Sequence, residues 1–251
     1  DDFKRCAQKE YSLKEQQKFL GDLNFFRAPQ SDYLNILQHS EFVDQILGFK
    51  ILTIEEKLAQ KARQHNPKGD VDCWGKAMHQ GLQTWVGLGP QHLLTPYTEL
   101  MEICELLKPR PYSQFVDLGS AYGRMALVLH QLAPLAQYTG IEYVEERVNE
   151  ANRAFEHFGL SNAQVLQGNL FSEDFNLPDA DFYFVYDYGR VDHIRHTLVQ
   201  IQKKARNHPL KVIARGKGTK TIIEHCHPWL SQVIQPIFHT TFTIYSNFQE
   251  N

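Results

Sequence analysis

No apolar run in the 251 residues approaches the roughly 20 needed to cross a bilayer, so no membrane-spanning helix is expected. Cysteine is scarce. Cys6, Cys73, Cys104 and Cys226 lie far apart and form no CxxC pair, which argues against a thiolate metal site or a disulfide framework. That usage fits a reduced, cytoplasmic protein. The chain begins with Asp rather than Met, so it is read as starting downstream of its native N-terminus. A dominant charge of one sign is also missing. The balance of 26 Lys+Arg against 29 Asp+Glu gives −3, which disfavours a large nucleic-acid footprint while leaving a local basic patch open. No G-x-x-x-x-G-K-[ST] or G-x-G-x-x-G occurs, so neither a P-loop nor a nicotinamide fingerprint is present. His193, His196, His225, Cys226 and His227 lack the acid or Cys pair that would complete a metal site, and no metal is expected.

What is present centres on Phe115-Val116-Asp117-Leu118-Gly119-Ser120-Ala121-Tyr122-Gly123-Arg124. A short apolar strand, Gln114 to Leu118, runs into a turn with two glycines. The segment Arg124 to Ala133 then places Met125, Leu127, Val128, Leu129 and Leu132 at helical spacing. Strand, glycine turn and helix set backbone N–H groups at a helix N-terminus, where backbone can approach a ligand closely. An acid inside the strand end, Asp117, suits a cationic group and would repel a pyrophosphate. A second acid, Glu142, ends the strand Tyr138 to Glu142, where a carboxylate can accept ribose hydroxyls. A ligand with a ribose, an amino group and no phosphate fits both acids, and S-adenosylmethionine (SAM) is such a ligand.

On these residues the sequence resembles the class I SAM-dependent methyltransferases, through VDLGSAYGR and the GIE ending the second strand. The order Thr95-Pro96-Tyr97, helix, Asp117-Leu-Gly-Ser-Ala-Tyr-Gly-Arg124 is particularly similar to DOT1-like and mitochondrial-type protein lysine methyltransferases. Ala121 departs from the pattern, standing where a second close glycine is usual. The resemblance covers roughly residues 90 to 251. It implies an α/β fold: a three-layer, doubly wound seven-strand sheet with strand 7 antiparallel. It implies that Tyr97, Asp117, Gly119, Ser120, Ala121, Gly123, Glu142, Asn169 and Leu170 hold SAM. It also implies that Asp187 and Tyr188, after the fourth strand, face the methyl acceptor. Asp187-Tyr188 has an acid and an aromatic but not the prolines of [D/N]-P-P-[Y/F], which weakens a nucleic-acid or glutamine acceptor.

The rest of the chain supports a helical cap over residues 1–89 and a catalytic domain over 90–251. Ser12-Leu-Lys-Glu15 and Thr53-Ile-Glu-Glu56 read as capping boxes. Tyr33 to Leu47 reads as helical with a break near His39-Ser40, and Trp74 to Val86 as a further helix. Gly87 to Tyr97 reads as a loop. Downstream come a helix from Glu145 to Phe158, strands at Ala163–Gln167, Asp181–Tyr186 and Leu210–Arg215, and two β-rich runs, Gln232–Phe238 and Thr240–Phe248. The expected activity is methyl transfer from SAM, preferably to a protein lysine. A small-molecule or RNA acceptor and a non-catalytic SAM-binding module are the alternatives.

Overall fold

The computed structural model describes residues 10–65, 85–86 and 89–249. Three helices lead: α1 (Leu13–Leu20), α2 (Tyr33–Ile46) and α3 (Ile51–His65). The first capping box forms as read. Ser12 accepts from the Glu15 backbone N–H, and the Glu15 carboxylate takes the Ser12 N–H at 2.9 Å. Helix α2 is capped by Asp32 and runs unbroken through His39 and Ser40, against expectation. Ser40 is tolerated there because its hydroxyl donates to the Ile36 carbonyl at 3.0 Å. Helix α3 begins two residues before Thr53, because the Ile54 N–H already donates to the Lys50 carbonyl at 3.0 Å. Thr53 is therefore inside the helix and caps nothing. Of the helix expected from Trp74 to Val86, residues 74–84 lie outside the described residues.

A short helix, α4 (Pro90–Leu93), forms where a loop was expected, and α5 (Tyr97–Leu107) leads to the sheet. The sheet region runs β1 (Gln114–Leu118), α6 (Arg124–Leu132), β2 (Gln137–Glu142), α7 (Glu145–Phe158), β3 (Ala163–Gln167) and β4 (Phe182–Tyr186). It continues with α8 (Val191–Ala205), β5 (Lys211–Arg215), α9 (Lys217–Cys226), β6 (Ile237–Phe238) and β7 (Phe242–Ser246). Strand order is β3-β2-β1-β4-β5-β7-β6, with β1 to β5 parallel and β7 antiparallel to both neighbours. This is the seven-strand architecture expected. The first C-terminal β run yields only the two residues of β6.

Both sheet faces are covered, as a parallel sheet requires. Alternation along β1 sends Phe115 to one core with α1, α2, α5, α6 and α7, and Val116 and Leu118 to the other with α8 and α9. Helix α6 shows why the segment after the glycine turn is helical: its apolar residues repeat at helical spacing, and Leu127 and Val128 are fully buried. The chain reverses direction across the sheet between β1 and β4. The strands stay paired to Leu118 and Val185, but the chain after β1 and the chain after β4 run to opposite faces and leave the crevice where open α/β sheets bind ligands.

Candidate cofactor and acceptor cleft

A cleft of about 310 Å3 opens at that crevice. Its lining comes from the carboxyl ends of successive strands: Gly119 and Ala121 after β1, Glu142 and Tyr143 at β2, Gly168 and Leu170 after β3, Tyr186 at β4, and Gly216 and Lys217 after β5. Trp85, His92 and Leu93 close it from the N-terminal side.

The glycine turn is stapled to β2. The Gly119 and Ser120 N–H groups both donate to the Ile141 carbonyl, at 2.9 and 3.0 Å. The Ala121 N–H donates to Glu142 Oε2 at 2.9 Å. Gly119, Ala121 and Gly123 all take positive φ, at +78°, +47° and +69°. A Cβ on Gly119 would overlap Tyr188, and one on Gly123 would meet the Phe155 ring. These glycines therefore admit neighbouring side chains of the same fold as well as the bend. Ala121 keeps its strained conformation while its methyl packs with Ile51, Leu94 and Tyr122.

Glu142, 4% exposed, is held rigidly at the cleft. Its Oε1 accepts from the Tyr143 and Val144 N–H groups, each at 2.9 Å, and Arg147 Nη1 stands 3.8 Å away. A carboxylate offers about four acceptor directions, so one remains for a ligand hydroxyl. Asp117 borders a small adjoining recess of about 30 Å3 together with Gly119, Ser120, Ala121 and Tyr186. Burial pushes the Asp117 carboxyl up to about 7, against a 2.8 Å hydrogen bond from the Tyr138 hydroxyl and aided by the charge of Glu142.

Several expected residues lie elsewhere. Tyr97 is fully buried; its hydroxyl donates to Asp44 at 2.9 Å and its ring stacks on Phe26 with centroids 4.9 Å apart, away from the cleft. Ser120 lines the small recess, its side chain packed over Gly140. Asn169 turns back on the chain, its Oδ1 accepting the Phe171 N–H at 3.0 Å, while its neighbours Gly168 and Leu170 face the cleft. Gly123 sits at the start of α6 and is not part of the lining.

The pair expected to face an acceptor is committed inside the fold. Helix α9 has no capping side chain of its own, and Asp187, just after β4, supplies one. Its carboxylate accepts from the Gly218 N–H at 3.0 Å, the Thr219 N–H at 2.7 Å and the Thr219 hydroxyl at 2.7 Å. A Cβ on Gly216 would overlap that carboxylate, so glycine is needed to admit the cap. The Tyr188 hydroxyl donates to the His193 carbonyl at 3.1 Å and shares a hydrogen bond with Thr197 Oγ1 at 2.5 Å. Both residues touch the cleft, but neither offers it a free polar group.

Sequence reasoning missed Tyr186, Trp85 and Arg147. Tyr186 occupies the last position of β4, one residue before the acid singled out. Its hydroxyl donates to the His92 carbonyl at 3.2 Å, and the Arg215 guanidinium lies 4.2 Å over its ring. Strand alternation from buried Phe184 would have placed Tyr186 on the same face. Trp85 donates its indole N–H to the Asp187 carbonyl at 2.7 Å, and its own carbonyl accepts from Arg147 at 2.6 Å. No local pattern announces either contact.

The N-terminal helices reach this site through buried ion pairs. Asp44 of α2 pairs with Arg124 at the start of α6. Glu55 of α3 pairs with Arg147 of α7 at 2.8 Å.

Residues 115–208 match the model of a methyltransferase domain. No curated protein sequence matches the chain. Among solved structures, an RNA methyltransferase from Salinibacter ruber in complex with S-adenosyl-L-homocysteine is 18% identical, with a TM-score of 0.46 over 63% of this chain and 95% of that one. A SAM-dependent methyltransferase from Aquifex aeolicus is 15% identical, with a TM-score of 0.44 over 59% of this chain and 88% of that one. A Podospora anserina methyltransferase with S-adenosylhomocysteine bound is 12% identical, with a TM-score of 0.48 over 65% and 83%. No helix among the described residues is long and apolar enough to cross a membrane.

Proposed function

We propose that the chain, a SAM-dependent methyltransferase by the domain it carries, transfers its methyl group to the side-chain amine of a protein lysine. The observation that carries this reading is the wall of the cleft. Trp85, Tyr143 and Tyr186 all line it, and aromatic faces attract an alkylammonium by cation–π interaction. Burial there also favours the neutral, nucleophilic amine. The motif order around Asp117 supports the same class.

The residues present fit the cofactor. Glu142 offers a backbone-fixed carboxylate for ribose hydroxyls, and Leu170 and Ile141 offer apolar contact for a base. Glu142 gives the cleft the negative charge that a sulfonium and an ammonium group prefer, and Asp117, in the adjoining recess, adds to it only as it ionises near neutral pH. Bound there, SAM supplies an electrophilic methyl on its sulfonium. The chain's task is alignment and exclusion of water, not acid–base chemistry. Asp187 shapes the far wall by holding the start of α9, and Tyr188 holds the β4 end against α8. With Asp187 spent on its cap, the ammonium met by the aromatic wall gives up its proton to solvent before the neutral amine attacks.

Calorimetric titration with SAM and S-adenosylhomocysteine tests the cofactor. Glu142→Ala should weaken SAM binding by about tenfold or more, the scale on which a site built around a hydroxyl partner discriminates. Unchanged affinity would remove Glu142 from the site. For the acceptor, labelled SAM is offered with a protein extract, RNA and small carboxylic acids. Label on protein that survives base hydrolysis supports the amine.

One observation favours a second reading. Lys217 stands exposed at the cleft rim and would suit an acceptor carrying an anionic group. Label on RNA or on an acid, with none on protein, would establish that reading instead.

A further inference from the structure

We infer that Glu55, on helix α3 outside the methyltransferase domain proper, is a positioning residue of the cofactor cleft, acting through Arg147 on Glu142. The inference rests on the cofactor reading above.

Glu55 is 5% exposed and does not line the cleft. Its carboxylate nevertheless ties together two groups that shape it. Oε1 accepts from the Tyr122 hydroxyl at 2.7 Å and from Arg147 Nε at 2.8 Å, and Oε2 accepts from Arg147 Nη2 at 3.0 Å. Tyr122 belongs to the glycine turn. Arg147, itself 2% exposed, lines the cleft and donates to the Trp85 carbonyl at 2.6 Å.

The guanidinium thus stands between two carboxylates and is bound to one. It makes paired hydrogen bonds to Glu55, while its Nη1 remains 3.8 Å from Glu142 Oε1, beyond hydrogen-bond length. Glu142 keeps an acceptor direction for a ligand because Arg147 is engaged elsewhere. Without the charge on Glu55, Glu142 is the carboxylate left within reach of Arg147. A buried guanidinium is not left unpaired cheaply, so it closes on Glu142. That contact would take the acceptor direction a ribose hydroxyl needs.

The length of α3 serves this arrangement. It starts at Ile51, which puts Glu55 in its second turn, and Ile51 packs with Ala121 and Tyr122 of the turn. The helix reaches the cleft wall by apolar contact and by charge at the same place.

The experiment measures SAM affinity by calorimetry for the wild type, Glu55→Gln, and the double variant Glu55→Gln/Arg147→Gln, with circular dichroism to confirm folding. Glu55→Gln should weaken binding by about tenfold, within the range of coupling between contacting charged groups. Removing Arg147 as well should recover most of that loss, because nothing then competes for Glu142. A residue that merely supported the fold would give a double variant no better than the single one. Wild-type affinity in Glu55→Gln, or a loss without recovery in the double variant, would overturn the inference. Should Glu55→Gln fail to fold, Tyr122→Phe loosens the same carboxylate more gently. A severalfold weaker affinity then supports the role, and an unchanged one overturns it. Failure of the wild type itself to bind SAM would instead strike the cofactor reading.

Discussion

Asp187→Ala removes the acceptor of three hydrogen bonds at the start of α9 without touching any other part of the helix. Two of the donors are backbone N–H groups of the first turn, which have no partner within the helix. Thr219 is fully buried, so water cannot replace the lost acceptor there; Gly218 is partly accessible, and water can. Loss of a capping side chain costs about 1–2 kcal/mol. Loss of a negative charge at the helix N-terminus adds about 0.3–1 kcal/mol. The sum, about 2 kcal/mol, corresponds to a fall in Tm of about 4–8 °C for a chain of this size. Urea unfolding followed by circular dichroism reads the stability, and labelled SAM reads the activity. Asp187→Asn keeps one oxygen acceptor and should lose about half as much. Thr219→Val removes the hydroxyl donor, and its effect should shrink sharply in the Asp187→Ala background, since both changes break the same contact. If Asp187→Ala left the stability within about 0.5 kcal/mol of wild type while abolishing methyl transfer, the capping argument would be wrong. The carboxylate would then be acting on the acceptor.

Asp44→Ala strands the Arg124 guanidinium and the Tyr97 hydroxyl in the core, and should destabilise by about 3–5 kcal/mol in urea unfolding. Ala121→Gly relieves about 1 kcal/mol of left-handed strain but gives up a packed methyl worth about 0.8 kcal/mol, so stability should stay within about 0.5 kcal/mol of wild type. A loss of 2 kcal/mol would mean the methyl, not the backbone, governs that position. Asp117, its carboxyl pushed up to about 7 by burial, should give a pH signature. Between about pH 4 and 7 the folded state holds a proton that the unfolded state has released, so stability falls as pH rises through that window. Asp117→Asn should flatten this component, and equal slopes for the two proteins would refute it.

The strands and their order of appearance were legible because their signals are local. The β1 run Gln114–Leu118, the helix begun by Arg124 and the strand ending in Glu142 all carry periodicity that a few neighbouring residues decide. The two acids beside the glycine turn were legible for the same reason, since a strand end is also where an α/β sheet puts its ligands. The Ser12 box formed because both partners lie within one turn. Thr53 did not cap, although it has the same spacing, because Ile51 and Lys50 already continued the helix upstream of it. His39 and Ser40 do not break α2, because the Ser40 hydroxyl donates within the helix to the Ile36 carbonyl and accepts from the Tyr97 N–H at 3.0 Å, a partner 57 residues away.

What the sequence alone determined is the alternation of elements and the identity of the carboxylates at the strand ends. What only the tertiary structure decided is which polar groups are free. Asp187 reads as an acceptor-facing acid until α9 arrives, 31 and 32 residues later, with N–H groups that need it. Tyr97 reads as a cofactor contact until Asp44, 53 residues away, takes its hydroxyl. Arg147 carries no signal in the sequence, and only the fold brings Glu55, 92 residues earlier, to hold it clear of Glu142. A side chain's chemistry is set by its residue type, but its availability is set by its nearest partner in space. In this fold those partners come from distant elements that burial, acting on the whole chain at once, packs together.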